Sequence, residues 1–243
     1  MIFVPIRSVT HFANAEAVGR GTRLALEFLL RDPEMVCACI RLSSPERNRD
    51  QRNWAKQTVL SELVTSVMEL QEEVHQEMAA RVTGMEIVSD SLGKPLLFIN
   101  GSEGPAVSFA YEGDAMWVAI AQEASSIGID ATQSDSFGGH YPFRRAFGEE
   151  ELDIAGKREE VAAMIWSAKE AVVKALGCGF HLVDPLDVIV GPYSGDREEF
   201  SLSARISDRA QERLHEKVAS PVLVRVLRHK EMWVSVASID RVC

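Results

Sequence analysis

Three residues stand at spacings that suit chemistry. Asp130 follows Gly128-Ile129, and Glu170 and Lys174 lie four apart in Trp166-Ser-Ala-Lys-Glu-Ala-Val-Val-Lys174. On a helix, residues four apart share a face. A carboxylate and an ammonium placed so read two ways. One is a surface ion pair contributing about 0.3–0.5 kcal/mol. The other is a metal ligand beside a phosphate holder. Two carboxylates from different elements can hold Mg²⁺, which completes its shell with waters and substrate phosphates. A lysine one helical turn away holds a phosphate as a point charge. Together these groups suit transfer chemistry at a pyrophosphate.

The elements that must position them are legible in outline. From about Glu160 the chain reads as a helix, with Ile165, Ala168, Val172 and Leu176 as an apolar stripe and Gly177 and Gly179 as its stop. Ile127–Asp130 reads as a short strand ending in the carboxylate, and Gln133–His140 as a Ser/Gly/Asp-rich loop free to move. Ahead of these, Ala106–Tyr111 and Met116–Gln122 read as a hairpin turning at Glu112-Gly-Asp114. Met35–Leu42 reads as a strand, and residues 22–30 as helix or strand. A helix starting at Ser44-Pro and an amphipathic helix over Arg52–Arg81 follow. After the central helix, Val183–Val190 reads as a strand, and Val222–Leu227 with Trp233–Ile239 as a C-terminal hairpin.

Composition bounds the function classes. The chain has 243 residues with 46% hydrophobic and 26% charged residues, which suits one large domain or two lobes with a sizeable core. A net charge of −10 argues against a general nucleic-acid binder. The four cysteines (Cys37, Cys39, Cys178 and Cys243) show no zinc spacing, and Cys37 and Cys39 share one strand face as packing residues. The six histidines form no constellation. With no signal-peptide pattern at the N-terminus and no run of ~20 apolar residues, a cytoplasmic location is expected.

The motifs carry a resemblance. Gly128-Ile-Asp130, followed about forty residues later by Trp-Ser-Ala-Lys-Glu-Ala-Val-Val-Lys, resembles the two signatures of the 4′-phosphopantetheinyl transferases. Gly93-Lys-Pro95 resembles a third element of the larger, two-lobed members. The resemblance implies an α+β fold of two similar lobes, each a small, mainly antiparallel sheet on a long helix. The lobes are expected at residues 1–120 and 121–243, with the cleft between them. It also implies a holo-acyl-carrier-protein synthase type of reaction. The phosphopantetheine arm of coenzyme A moves to a serine of an acyl or peptidyl carrier protein, with Mg²⁺ at the pyrophosphate and 3′,5′-ADP released. A monomer is the simpler expectation if one chain forms both walls of the cleft.

Carried over by position, the resemblance gives Asp130 and Glu170 as metal ligands, Lys174 on the phosphates and Lys94 near the nucleotide. Glu151 falls where larger members place a proposed general base, though an acidic start to a helix accounts for it equally. Arg144 and Arg145 are candidates for docking an acidic carrier. Two departures stand out. Thr132 replaces the second carboxylate of Asp-x-Glu, leaving a hydroxyl to support a metal-bound water. Ser108-Phe-Ala-Tyr111 replaces Ser-x-Ser-His, so Ser108 and Tyr111 meet coenzyme A without the histidine's positive charge. These departures motivate an alternative: a catalytically weak relative that binds coenzyme A or carrier protein without transfer. Another Mg²⁺-dependent enzyme acting on a nucleotide pyrophosphate is a further reading.

Overall fold

The computed structural model describes residues 13–15, 24–31, 35–42, 49–70, 84–121, 125–138, 143–196, 198–214, 218 and 221–240. Runs rich in β-branched and alternating apolar residues form two five-stranded antiparallel sheets. The first contains β1 (Ala13–Ala15), β2 (Leu24–Arg31), β3 (Met35–Arg41), β7 (Ala106–Glu112) and β8 (Ala115–Ala121), in the order β1-β2-β3-β8-β7. The second contains β9 (Ser125–Gln133), β10 (Val188–Gly195), β11 (Glu199–Ile206), β12 (Val222–His229) and β13 (Met232–Asp240), in the order β10-β11-β12-β13-β9. A three-stranded sheet of β4 (Met85–Ser89), β5 (Pro95–Ile99) and β6 (Ser102–Glu103) is inserted in sequence between β3 and β7 of the first sheet.

Each large sheet is covered by a long helix. Helix α1 (Arg49–Leu70) buries Ala55, Val59, Leu60, Leu63 and Val64 against the first sheet. Three shorter helices, α2 (Phe143–Ala146), α3 (Glu149–Ala155) and α5 (Asp208–Leu214), accompany the second sheet. Its long helix is α4 (Glu159–Ala175), whose Ile165, Ala168 and Val172 are buried in the same cluster as Val188, Val190 and Val224 of the sheet. The opposite faces of the two sheets meet each other. Cys37, Cys39, Trp117 and Ala119 pack against Ile127, Ile129, Val234 and Val236. This is the mixed α+β architecture with antiparallel sheets that the resemblance implies.

Alternation along β9 sets the site. Ile127, Ile129 and Ala131 join the core between the sheets. Period two therefore turns Gly128, Asp130 and Thr132 to the other face, where α4 lies. The approach there is so close that a Cβ on Gly128 would stand 1.9 Å from the Ala171 carbonyl oxygen and 2.4 Å from the Ala175 amide nitrogen. The glycine of Gly-Ile-Asp is thus a packing requirement. Ser167 reinforces the contact, its Oγ lying 3.3 Å from the carbonyl oxygens of both Asp130 and Trp233.

Helix α4 is also pinned by charge. Lys169 is 0% exposed and Glu151, on α3, is 2% exposed. The Lys169 Nζ lies 2.7 Å from the Glu151 carboxylate and donates to the carbonyls of Ala146 and Pro185, each at 2.8 Å. All three ammonium donors therefore have partners. The other Glu151 oxygen accepts from the Val190 amide at 2.8 Å, and Gly148 N–H donates to the carboxylate at 2.8 Å.

Several elements differ from expectation. Residues 24–31 are strand, which decides the helix-or-strand reading for 24–30; residues 22 and 23 lie outside the described residues. The first long helix is described over Arg49–Leu70; residues 71–81 and the expected start at Ser44-Pro lie outside the described residues. The strand expected over Val183–Val190 begins at Val188, because Pro185 opens a 3₁₀ turn at Pro185–Asp187, capped by Asp184 accepting from Leu186 N–H. β9 does not stop at Asp130. Pairing with β13 carries it on to Gln133, so Asp130 is an interior strand residue, 7% exposed, and not an exposed strand end. In the following loop Phe137 is 3% exposed and packs on Phe143, Phe147 and Trp166, which anchors a segment expected to move freely. Residues 139 and 140 of that loop lie outside the described residues.

Two substitutions test this account. Gly128→Ala must push α4 away from β9, and urea unfolding is expected to show a loss of about 3 kcal/mol or more, since overpacking a close contact costs on that order. Lys169→Met leaves the Glu151 carboxylate buried without its cation. The expected loss is about 3–5 kcal/mol, as for other buried pairs broken on one side. A change below about 1 kcal/mol in either variant would contradict the packing described.

Candidate functional site

β9, α4 and the end of β7 border one cleft of about 380 Å³. Its walls include Tyr111, Glu112, Asp130, Thr132, Trp166, Glu170 and Lys174. The central charge is Asp130. Lys174 Nζ donates to one carboxylate oxygen at 2.7 Å, and Thr132 Oγ1 donates to the other at 3.0 Å. Burial pushes the Asp130 carboxyl up, against the opposing pull of Lys174 and Thr132. Glu170 is half-buried on the same side of α4 as Lys174. Its carboxyl is pushed up first by burial and then by the negative charge of Asp130, with Lys174 opposing.

Four expected site residues therefore converge: Asp130, Glu170, Lys174 and Thr132. Tyr111 joins them on the wall, 38% exposed, with the Lys56 ammonium 6.0 Å from its ring centre. Three others are placed differently. Ser108 is buried, and its Oγ accepts from the Ile129 amide at 3.1 Å, tying β7 to β9. Lys94 reaches the C-terminal end of α4, where its Nζ bonds Ser126 Oγ and lies 3.5 Å from the Ala175 carbonyl. A cation there complements the helix dipole. Neither lines the cleft. Glu151 does not line it either: its carboxylate is occupied by Lys169 and two backbone amides. The expectation that Glu151 takes the serine proton meets that geometry, which makes it the partner that holds α4 in place.

The donor chemistry fits a hard divalent cation. The cleft offers carboxylate and hydroxyl oxygens and no sulfur or imidazole. Its carboxylates do not draw together into a closed cage. Among the described residues, the three-residue cluster with all ligand atoms within 4.8 Å of one another is Glu27, Cys39 and His229, elsewhere. An open arrangement suits an ion that keeps waters and takes substrate phosphates. The Glu27 cluster is a histidine–cysteine grouping the sequence reading did not find, because its members come from three strands of two sheets. It reads as packing. Burial pushes the Cys39 thiol up to about 12, keeping it protonated, and Lys230 lies 3.9 Å from the Glu27 carboxylate as its counter-charge.

Glu112 was also missed. It appeared only as a turn residue after Ala106–Tyr111, yet it ends β7 and lines the cleft. Alternation from Ser108 was the signal available.

Comparisons with known proteins agree with the motifs. Residues 126–224 match the model of the 4′-phosphopantetheinyl transferase superfamily, ACPS. No curated protein matches the chain. Among solved structures, the apo-ACPS of Chronobacterium ammoniagenes is similar at 20% identity and a TM-score of 0.40, covering 49% of this chain and 98% of its own. An ACPS–CoA complex from the same organism is similar at 16% identity and a TM-score of 0.38, covering 50% of this chain and 100% of its own. The matched segment contains Asp130, Thr132, Glu170 and Lys174, which share the walls of the one cleft.

Proposed function

We propose that the chain is a 4′-phosphopantetheinyl transferase of the holo-acyl-carrier-protein synthase type. It moves the phosphopantetheine arm of coenzyme A to a serine of an acyl or peptidyl carrier protein and releases 3′,5′-ADP. The observation that carries this reading is the convergence of Asp130, Glu170 and Lys174 on one cleft, inside the segment that matches the superfamily. The lobes divide near residues 120 and 121, consistent with first-sheet strands ending at Ala121 and second-sheet strands beginning at Ser125. One chain supplies both walls, so a monomer suffices.

Asp130 and Glu170 would hold Mg²⁺. When bound, the cation neutralises pyrophosphate charge and makes the phosphorus more electrophilic. Thr132 Oγ1, donating to Asp130, aims that carboxylate from below. Lys174 is bonded to Asp130 and half-exposed, so its ammonium is positioned to turn to a phosphate oxygen. It would hold the pyrophosphate in line and meet the charge that develops on the departing 3′,5′-ADP. The serine oxygen would form the new bond to phosphorus as the pyrophosphate bridge breaks, its proton passing to water in the open cleft and 3′,5′-ADP leaving with the bridging oxygen. Tyr111 offers coenzyme A a hydroxyl on the cleft wall, and Lys56 behind it offers the charge that tyrosine lacks. The exposed Arg144 and Arg145 of α2 suit an acidic carrier surface.

The direct experiment is intact-protein mass spectrometry of apo carrier proteins incubated with this protein, coenzyme A and Mg²⁺. A gain of one phosphopantetheine arm, lost with Glu170→Ala, is expected. Coenzyme A binding without any gain would favour the binding-only relative that Thr132 and Tyr111 motivate. A second measurement addresses Tyr111. Tyr111→His restores a protonatable ring, and calorimetry is expected to show coenzyme A binding tightened several-fold, a change of about 1 kcal/mol, as for one added charge-assisted hydrogen bond. Unchanged affinity would remove residue 111 from the coenzyme A site.

A further inference from the structure

Period two along β7 separates its side chains cleanly. Val107 and Phe109 pack on the core beneath α1. Ser108 and Ala110 face the second sheet: Ser108 bonds the Ile129 amide, and Ala110 packs in the core with Ile127 and Ile129. Glu112 is next on that same face. The Ser108–Ile129 bond fixes β7 beside β9, so the end of β7 delivers Glu112 to the cleft that Asp130 and Glu170 border.

Thr132 leaves a vacancy in charge. It stands two residues after Asp130 on the same face of β9, but its hydroxyl proton is directed at Asp130. It contributes no negative charge. Glu112 contributes one. Three carboxylates and one ammonium then line the cleft, a formal excess of two negative charges. No ion pair among the described residues balances Glu112; Gln133, at the end of β9, hydrogen-bonds its carboxylate. Three like charges held on one cleft are unfavourable unless a cation is shared among them.

We propose that Glu112 is the third carboxylate of the divalent-cation site, supplied from β7 across the cleft in place of the acid absent at residue 132. This rests on the transferase reading and adds to it. The ligands then come from β7 of the first sheet and from β9 and α4 of the second, so the cation joins the two lobes. In metal-free protein Glu112 repels Asp130 and Glu170; a bound cation would offset that repulsion.

The test is Mn²⁺ binding at saturating coenzyme A, read as loss of the free Mn²⁺ electron-paramagnetic-resonance signal. Wild type, Glu112→Gln, Glu170→Gln and the double variant Glu112→Gln/Thr132→Glu are compared. Glu112→Gln is expected to weaken Mn²⁺ binding by about tenfold or more, the scale of losing a group from a metal's environment. Thr132→Glu in that background is expected to recover most of the loss. Metal-free Glu112→Gln is expected to melt at or above the wild-type temperature, because repulsion is relieved; this separates ligation from a folding defect. Mn²⁺ binding by Glu112→Gln within twofold of wild type, with Glu170→Gln impaired, would overturn this assignment and leave the transferase reading standing. Absence of Mn²⁺ binding by the wild type would overturn both.

Discussion

The contact between α4 and β9 is what the site depends on. Packed layers of secondary structure normally stand about 10 Å apart, with side chains filling the space. Here Gly128 removes one side chain, and Ala171 and Ala175 present only methyl groups around it. The backbones close up at that point. Asp130, two residues along β9, is thereby brought within hydrogen-bonding reach of Lys174 and into one cleft with Glu170. A bulkier residue at 128 would separate the two carboxylates before it altered either of them.

Buried charge secures the same helix from its other side. Lys169 precedes Glu170 directly, yet the two side chains do opposite work. Lys169 faces inward to Glu151 and two carbonyls, whereas Glu170 faces the cleft. Its burial pushes the Lys169 ammonium down, and Glu151 opposes that push. The pair does not have to stabilise the fold on balance to matter. It fixes the rotation of α4, and rotation decides which residues meet Asp130. The Lys-Glu dipeptide of the motif thus combines a fixing group and a cleft group in adjacent positions.

The site also draws on both sheets. Ser108, read from sequence as a coenzyme A contact, is instead a fastener between β7 and β9. Tyr111 and Glu112, neighbours at the end of β7, both line the cleft, Tyr111 with the Lys56 ammonium of α1 6.0 Å from its ring centre. A cleft bordered by strands of two sheets depends on how those sheets pack, which a site confined to one sheet does not.

Much of this was legible in the sequence. The helix stop at Gly177, the Glu170–Lys174 face, the Met116–Gln122 strand and the C-terminal hairpin follow from period, turn residues and propensity, which are local properties. The strand at Glu199–Ile206 was overlooked although Phe200, Leu202, Ala204 and Ile206 alternate, because charged residues flank the run. Other features were not local. That β9 runs past Asp130 depends on pairing with β13, more than ninety residues away. That Glu151 is a buried counter-ion depends on which side of α4 carries Lys169. That Glu112 shares a cleft with Asp130 depends on how two sheets pack. The sequence by itself determined which residues are acids, bases and glycines, and which faces of their own elements they occupy. Only the tertiary structure decided which of those faces meet, because close packing between elements is set by the summed shape of many side chains and not by any single spacing along the chain.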